Sequence, residues 1–253
     1  MEKEFIEINK KGWNEQAKND SLYSNTSLPE YGPYMNNEEK LNLLKDIKDK
    51  KVLELGCASG KSLEYLSKLG AKELWGLDIS EEQIKKAKEL DIPNSNFIVS
   101  PMEEKNNIPT NYFDYVLSLY SIGFSSNPIK TFELSNKYLK KGGKFIMCWI
   151  HPFFNCIGVE NDRLVVTRNY IEEDNIKIIK GTKEVELMQN NLKISTIING
   201  LINSGMEIDK IIEENPIEKN GIGNYKSPMF DERKLKFAPT TLIIVAHKKT
   251  QER

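Results

Sequence analysis

The chain is nearly without arginine: of its 36 Lys and Arg residues, only Arg163, Arg168, Arg233 and Arg253 are arginines. Set beside the abundant Asn and Ile, this reads as the codon bias of an AT-rich genome and not as a binding signal. Neither sign of charge dominates. The formal net charge of −1 gives no global field to draw nucleic acid or anionic lipid, so neither a nucleic-acid nor a membrane partner is expected. Imidazoles are scarce too: His151 and His247 are too few to build a His-based metal cluster, and no metal is expected. Cys57, Cys148 and Cys156 stand at unpatterned spacings that make neither a disulfide framework nor a zinc signature. No apolar run has the length of a membrane span, and the opening MEKEFIEINKKGW mixes charges where a signal peptide would be apolar. A reducing, cytoplasmic setting is the expectation.

What remains is a 253-residue chain, 39% hydrophobic and 29% charged, enough for one large domain with an elaborated edge or a core plus a cap. Residues 4–18 set Phe5, Ile8 and Trp13 among charges, the pattern of an amphipathic helix. A turn-rich stretch with Tyr23, Tyr31 and Tyr34 follows, and Asn36 or Asn37 can cap a helix EEKLNLLKDI. From Lys51 the rhythm changes. KVLEL, ELWGL, NFIVS, YFDYVLSLY and KFIMCWI read as strands, separated by helical stretches including SEEQIKKAKEL, for which Ser80 and Gln83 form a capping box. Such alternation means βαβ units and a parallel sheet with helices on its faces. After Ile150 it breaks into a loop and a β excursion over 151–192, then a helix near 194–203 and two strands, MEIDKIIE and TTLIIVAH, that can pair as an antiparallel edge.

VLELGCASGKS occupies the first strand-to-helix turn, where open α/β sheets bind ligands. Three loop chemistries compete for it. A dinucleotide fingerprint needs Gly at its first, third and sixth positions, and here those are Gly56, Ala58 and Lys61. A phosphate loop needs a Gly four residues before the final Gly-Lys-Ser; Gly60-Lys61-Ser62 supplies the ending, but Leu55 stands where that Gly belongs. The third chemistry is a loop whose small residues let backbone lie flat against a ligand without phosphate, with Glu54 at the strand end suited to an ammonium. At the end of the second strand, 22 residues after Gly56, Asp78 can accept hydrogen bonds from two ribose hydroxyls; the plainer alternative is that it only starts the next helix.

Glu54, Gly56, Ala58 and Gly60 together resemble the first motif of the class I S-adenosylmethionine-dependent methyltransferase family, with Ala58 in place of its middle Gly. The resemblance runs in order through Asp78, FIVSPMEE, YFDYVLSLYSIGF and LKKGGKFIMCWIHP, over about residues 48–152, and recurs in the terminal strands. It implies a three-layer sandwich around a mostly parallel seven-stranded sheet whose last strand is antiparallel. It divides the chain into an N-terminal helical segment and lid (1–47), a cofactor-binding Rossmann-like core (48–150), an inserted cap (151–192) and the rest of the core sheet (193–253). It also implies S-adenosylmethionine as cofactor, S-adenosylhomocysteine as product, and contacts from Tyr31, Glu54, Gly56, Cys57, Ala58, Gly60, Asp78, Ile79, Met102, Glu103 and Leu119.

Methyl transfer from a sulfonium mainly requires that an acceptor lone pair be aligned in line, and a base only where the acceptor must lose a proton. His151, just past the fifth strand, is a possible base, set against the plainer reading that His151-Pro152 ends a strand. Trp13, Tyr23, Tyr120 and Phe153 are expected to line the acceptor side, with aromatic faces that suit a sulfonium. A small-molecule acceptor methylated on O or N fits the neutral charge balance. The alternatives are a modified-tRNA or protein acceptor, or a non-catalytic sensor of the cofactor or its demethylated product.

Overall fold

In this computed structural model, residues 2–18, 28–180, 185–214 and 230–250 are described. The helices are α1 (Glu2–Lys18), α2 (Glu38–Leu41), α3 (Lys61–Lys68), α4 (Glu81–Glu89), α5 (Pro128–Tyr138), α6 (Ile194–Asn203) and α7 (Glu232–Leu235). The strands are β1 (Lys51–Leu55), β2 (Glu73–Asp78), β3 (Ser95–Val99), β4 (Phe113–Leu119), β5 (Leu139–Ile150), β6 (Ile157–Glu160), β7 (Arg163–Val166), β8 (Asp174–Lys180), β9 (Val185–Asn191), β10 (Met206–Ile212) and β11 (Thr241–Lys248). Seven of these strands form one sheet in the order β10-β11-β5-β4-β1-β2-β3. β1 to β5 run parallel, while β11 runs antiparallel to both β5 and β10. This is the class I methyltransferase fold.

The strand period of two gives each central strand two buried faces. On β1, Val52 enters a core shared with Leu63 and Leu66 of α3 and Ile84 of α4; Leu53 and Leu55 enter the opposite core with Phe132 of α5 and Leu201 of α6. Helices therefore cover both faces. The order reverses at β1, with β2 on one side and β4 on the other, and this switch point opens a crevice beyond the strands' carboxyl ends.

The expected helix over EEKLNLLKDI is four residues long instead. The Glu38 carboxylate accepts from the backbone N–H groups of Leu43 and Leu44 and from the Tyr31 hydroxyl, so donors that would have continued the helix bond to a side chain. Asn42 ends the turn in the left-handed region (φ 51°), and Asn37 makes no side-chain cap bond. α4 starts as its sequence suggests, the Ser80 hydroxyl accepting from Gln83 N–H at 3.2 Å.

Two hairpins leave the main sheet after β5. β6 and β7 pair through Asn161 and Asp162, both left-handed (φ 47° and 60°), the conformation that lets a two-residue turn follow strand twist. β8 and β9 pair over seven residues each, and α1 lies against β9. The contact is close because Gly12 has no side chain: a Cβ there would stand 2.4 Å from the Glu186 carbonyl oxygen. Beside it, the buried Asn9 amide accepts from Met188 N–H (2.8 Å) and donates to Met188 O (2.9 Å) and Phe124 O (3.2 Å).

Candidate functional site

The loop after β1 folds back on both neighbouring strands. Gly56 and Cys57 N–H donate to the Leu77 carbonyl at 2.7 and 3.0 Å, and Gly60 N–H closes a turn on Cys57 O. Gly56 (φ 70°) and Gly60 (φ 76°) occupy the left-handed region, and so does Ala58 (φ 45°). A Cβ on Gly56 would stand 2.4 Å from Cβ of Ser121. The Ser121 hydroxyl donates to Leu55 O (2.6 Å) and pairs with Ser118 Oγ (2.8 Å), which fixes the chain leaving β4 against the loop. Cys57 is buried behind the loop, its thiol pushed well up by burial. Lys61, which a phosphate loop would aim at its ligand, is instead paired with Glu64 at 3.3 Å.

Two buried carboxylates stand at the floor of the crevice. Glu54 is 3% exposed and its Oε2 has no hydrogen-bond partner. Burial raises its pKa to about 8; a hydrogen bond from Ser62 pulls the other way, and the Asp78 charge pushes it up further. Asp78, 8% exposed, accepts from Ala58 N–H (2.9 Å) on one oxygen and Ser80 N–H (2.8 Å) on the other. Burial lifts its pKa to about 6 against those hydrogen bonds. A ligand bringing a cation to Glu54 would supply the partner that Oε2 lacks. With Ala58, Ser80 and Ile79 N–H all directed at it, the Asp78 carboxylate keeps acceptor capacity for a hydroxyl donor. An ammonium next to a diol-bearing ribose fits this donor and acceptor set, and the left-handed loop between the two carboxylates leaves backbone open to a flat approach.

The other sequence candidates divide. Ile79 is half-buried beside Asp78, and the Met102 side chain reaches toward Gly56, its terminal carbon 3.5 Å from where a Cβ would lie. Leu119 is half-buried at the end of β4. Glu103 turns away: it accepts from the Ser125 hydroxyl at 3.1 Å and from the backbone N–H and hydroxyl of Ser126, holding the turn after β4. Tyr31 is 1% exposed with its hydroxyl on Glu38 at 2.5 Å; burial raises its pKa, and the charge of Glu54 contributes, so the ring lies within electrostatic reach of the floor.

Beyond the crevice, an aromatic chain crosses the ends of β4 and β5. Trp13 meets Phe124 edge-on at 4.9 Å, Phe124 meets Trp149 at 5.1 Å, and Tyr120 lies 5.4 Å from Trp149. Gly123 admits the Trp149 ring, since a Cβ there would overlap it at 1.9 Å. α1 roofs this region. Asn14 accepts from the Ser80 hydroxyl at 2.7 Å, Lys86 donates to Ala17 O at 2.5 Å, and Lys10 pairs with Glu81. Tyr23 lies outside the described residues. Phe153 is 45% exposed and lines a different cavity, between β7 and α7.

His151 is 4% exposed with both ring nitrogens engaged. Nδ1 accepts from Phe153 N–H at 3.2 Å, which leaves Nε2 to donate to Glu213 at 2.7 Å. Burial lowers its pKa, with Glu213 opposing. His247 sits near the end of β11, where the strand emerges from the core, bonded to Asp209. Residues that sequence reasoning passed over include Ser121, Asn9, Asn14 and Phe124; all act through contacts between segments far apart in the chain, for which local spacing carries no signal.

Comparison with known proteins bears on the same region. Residues 53–147 match the family model described as a methyltransferase domain. A Haemophilus influenzae protein is 25% identical over 188 residues, 68% of this chain and 73% of its own length. The mitochondrial ubiquinone biosynthesis O-methyltransferase of Dictyostelium discoideum is 30% identical over 115 residues, 41% of this chain and 36% of that enzyme. Among solved structures, a candidate S-adenosylmethionine-dependent methyltransferase of Listeria monocytogenes superposes with a TM-score of 0.69 at 24% identity, covering 85% of this chain and 96% of that one.

Proposed function

We propose that this chain, whose residues 53–147 match the methyltransferase-domain family model, binds S-adenosylmethionine in the crevice above Glu54 and Asp78 and methylates a small-molecule O or N acceptor. One observation carries the binding reading: the buried, unpartnered Glu54 Oε2, with Asp78 beside it at the end of the next strand. In this reading Glu54 holds the ammonium of the methionine part and Asp78 the ribose hydroxyls. Ile79 and Met102 border the adenine, and Gly56, Ala58 and Gly60 supply the backbone surface on which the ligand lies. Bound there, the cofactor supplies a sulfonium methyl group open to in-line displacement.

The chain's own contribution is alignment and exclusion of water. Ser121 and Ser118 fix the β4 exit, Tyr120 and Trp149 wall the space beyond it, and α1 with β9 closes the roof. His151, bonded on both nitrogens, acts here as a brace between the end of β5 and Glu213, so the proton of an O–H acceptor leaves to solvent or to another group. A small acceptor is supported by the run of aromatic rings, Trp13, Phe124, Trp149 and Tyr120, beyond the ends of β4 and β5. The O-methyltransferase likeness supports an oxygen acceptor over part of the core.

The test is titration calorimetry with S-adenosylmethionine and S-adenosylhomocysteine on wild type and Asp78→Ala, followed by labelled-methyl assays against metabolite pools. Micromolar binding that Asp78→Ala weakens at least tenfold is expected. Equal binding by both proteins would remove the reading, and tight binding without product from any pool would favour a sensor.

A further inference from the structure

Away from the crevice, the β6–β7 hairpin faces α7 and the turn after it across a cavity of about 780 Å³. Its walls are apolar: Phe153, Ile157, Leu164, Val166 and Phe237. Three of these are large side chains left open to solvent, Val166 at 76%, Phe237 at 70% and Phe153 at 45%. Apolar side chains converging on one concavity from three separate segments form a patch of the kind that marks a binding surface.

The polar lining has a sign. Arg163, Arg233 and Lys236 stand against a single lining carboxylate, Asp162. Arg233 is spoken for, donating to Asp162 at 2.5 Å and to Asp231 at 2.6 Å. Among the described residues Arg163 and Lys236 form no ion pair, so two cations at the edge of the apolar hollow are open to an anion there. Two of the four arginines in a chain that otherwise uses lysine meet at this place. A guanidinium offers a planar, two-pronged donor set that matches a carboxylate, which a lysine does not. The composition is thus less neutral than its codon-bias reading suggests.

We propose that this groove binds a small anionic amphiphile, an apolar body ending in a carboxylate, with the body against Phe153, Val166 and Phe237 and the carboxylate between Arg163 and Lys236. The site is separate from the Glu54–Asp78 crevice and holds whether or not the chain transfers methyl groups. The apolar body covers side chains now facing water, which favours binding in proportion to the area covered. The carboxylate pairs with two exposed cations, an attraction that added salt weakens.

The experiment is titration of the full chain with decanoate, 1-decanol and decyltrimethylammonium, all below their aggregation concentrations. Decanoate is expected to bind one per chain and at least tenfold tighter than 1-decanol, with the cationic amphiphile weaker still. In an Arg163→Gln/Lys236→Gln double variant, decanoate should fall to within about twofold of 1-decanol. Val166→Asp should abolish binding. Thermal unfolding of each variant keeps these outcomes separate from misfolding, since all three side chains are surface residues whose replacement should leave Tm within a few degrees. Equal affinity for decanoate and decanol, decanoate binding unchanged in the double variant, more than one ligand per chain, or association only with anionic vesicles would each overturn the proposal. Cofactor binding, measured on the same variants, should be unaltered.

Discussion

Glu54 and Asp78 stand near the ends of the paired strands β1 and β2, both buried. Burial, and after it the Asp78 charge, raises the Glu54 pKa, and among the described residues neither carboxylate has a cation. With a pKa of about 8, Glu54 is protonated in the free protein at neutral pH. A ligand ammonium requires it ionised, so binding near pH 7 should release close to one proton. Affinity for S-adenosylmethionine should rise from pH 6 to about pH 8 and level off above. Calorimetry at pH 7 in phosphate and in Tris checks this: the observed heats should differ by the buffers' ionisation heats, and equal heats with flat affinity would refute it. Stability without ligand should run the other way. A carboxyl whose folded pKa lies above its unfolded value binds more protons folded, so stability falls as pH rises from the ordinary carboxyl range toward 8.

Ala58 takes a left-handed conformation (φ 45°) at the position where a Gly would be unstrained. Ala58→Gly should relieve about 1 kcal/mol of backbone strain, offset in part by greater freedom of the unfolded chain. The expected result is a Tm equal to or up to a few degrees above wild type, with cofactor affinity preserved. A clear loss of stability would show that the methyl group packs usefully.

Asn9 makes three hydrogen bonds that hold α1 to β9 and to the turn after β4. Asn9→Ala should cost roughly 2–3 kcal/mol, at about 1 kcal/mol for each bond lost. Hydrogen exchange should show residues 2–18 opening more often while the central strands stay protected.

His151→Ala removes a buried ring bonded at both nitrogens and should destabilise by roughly 1–3 kcal/mol. Because burial lowers the pKa of His151, its contribution is present above about pH 6.5 and is lost as pH falls toward its folded pKa. The variant's stability should therefore depend less on pH below 6.5. The pH profile of methyl transfer should keep its shape, and loss of a limb near neutrality would restore His151 as the base.

Gln189, 1% exposed on β9, has a side-chain nitrogen with no hydrogen-bond partner. Leaving a donor unpaired in the interior costs about 1–3 kcal/mol. Gln189→Leu should thus hold or raise Tm in the ligand-free protein, and a large loss would mean that the amide is satisfied in solution.

The sheet was legible because each strand carries its own signal: β1, β2 and β4 are short apolar runs, and Ser80 announces α4 as it then caps it. Glu54, Gly56 and Asp78 could be located for the same reason, since they end those strands. The helix after Asn37 misled because Glu38, a good helix former, uses its carboxylate to capture Tyr31 and two backbone donors. The acceptor wall was only half visible. Trp13 and Tyr120 could be suspected as aromatics, whereas Phe124 and Trp149 join them through Gly123, whose missing side chain matters only once the ring is seen against it. Glu103 follows Met102 along the strand exit yet faces Ser125 and Ser126, a choice made by tertiary partners.

Asn9 and Met188 are 179 positions apart. A ribosome making this chain releases α1 long before the β9 backbone to which it is bonded. Until then α1 can meet only α4 and the turn after β4, and its Gly12 face has no β9 to lie against. α1 is thus among the last pieces to settle, since its hold on β9 waits for Met188.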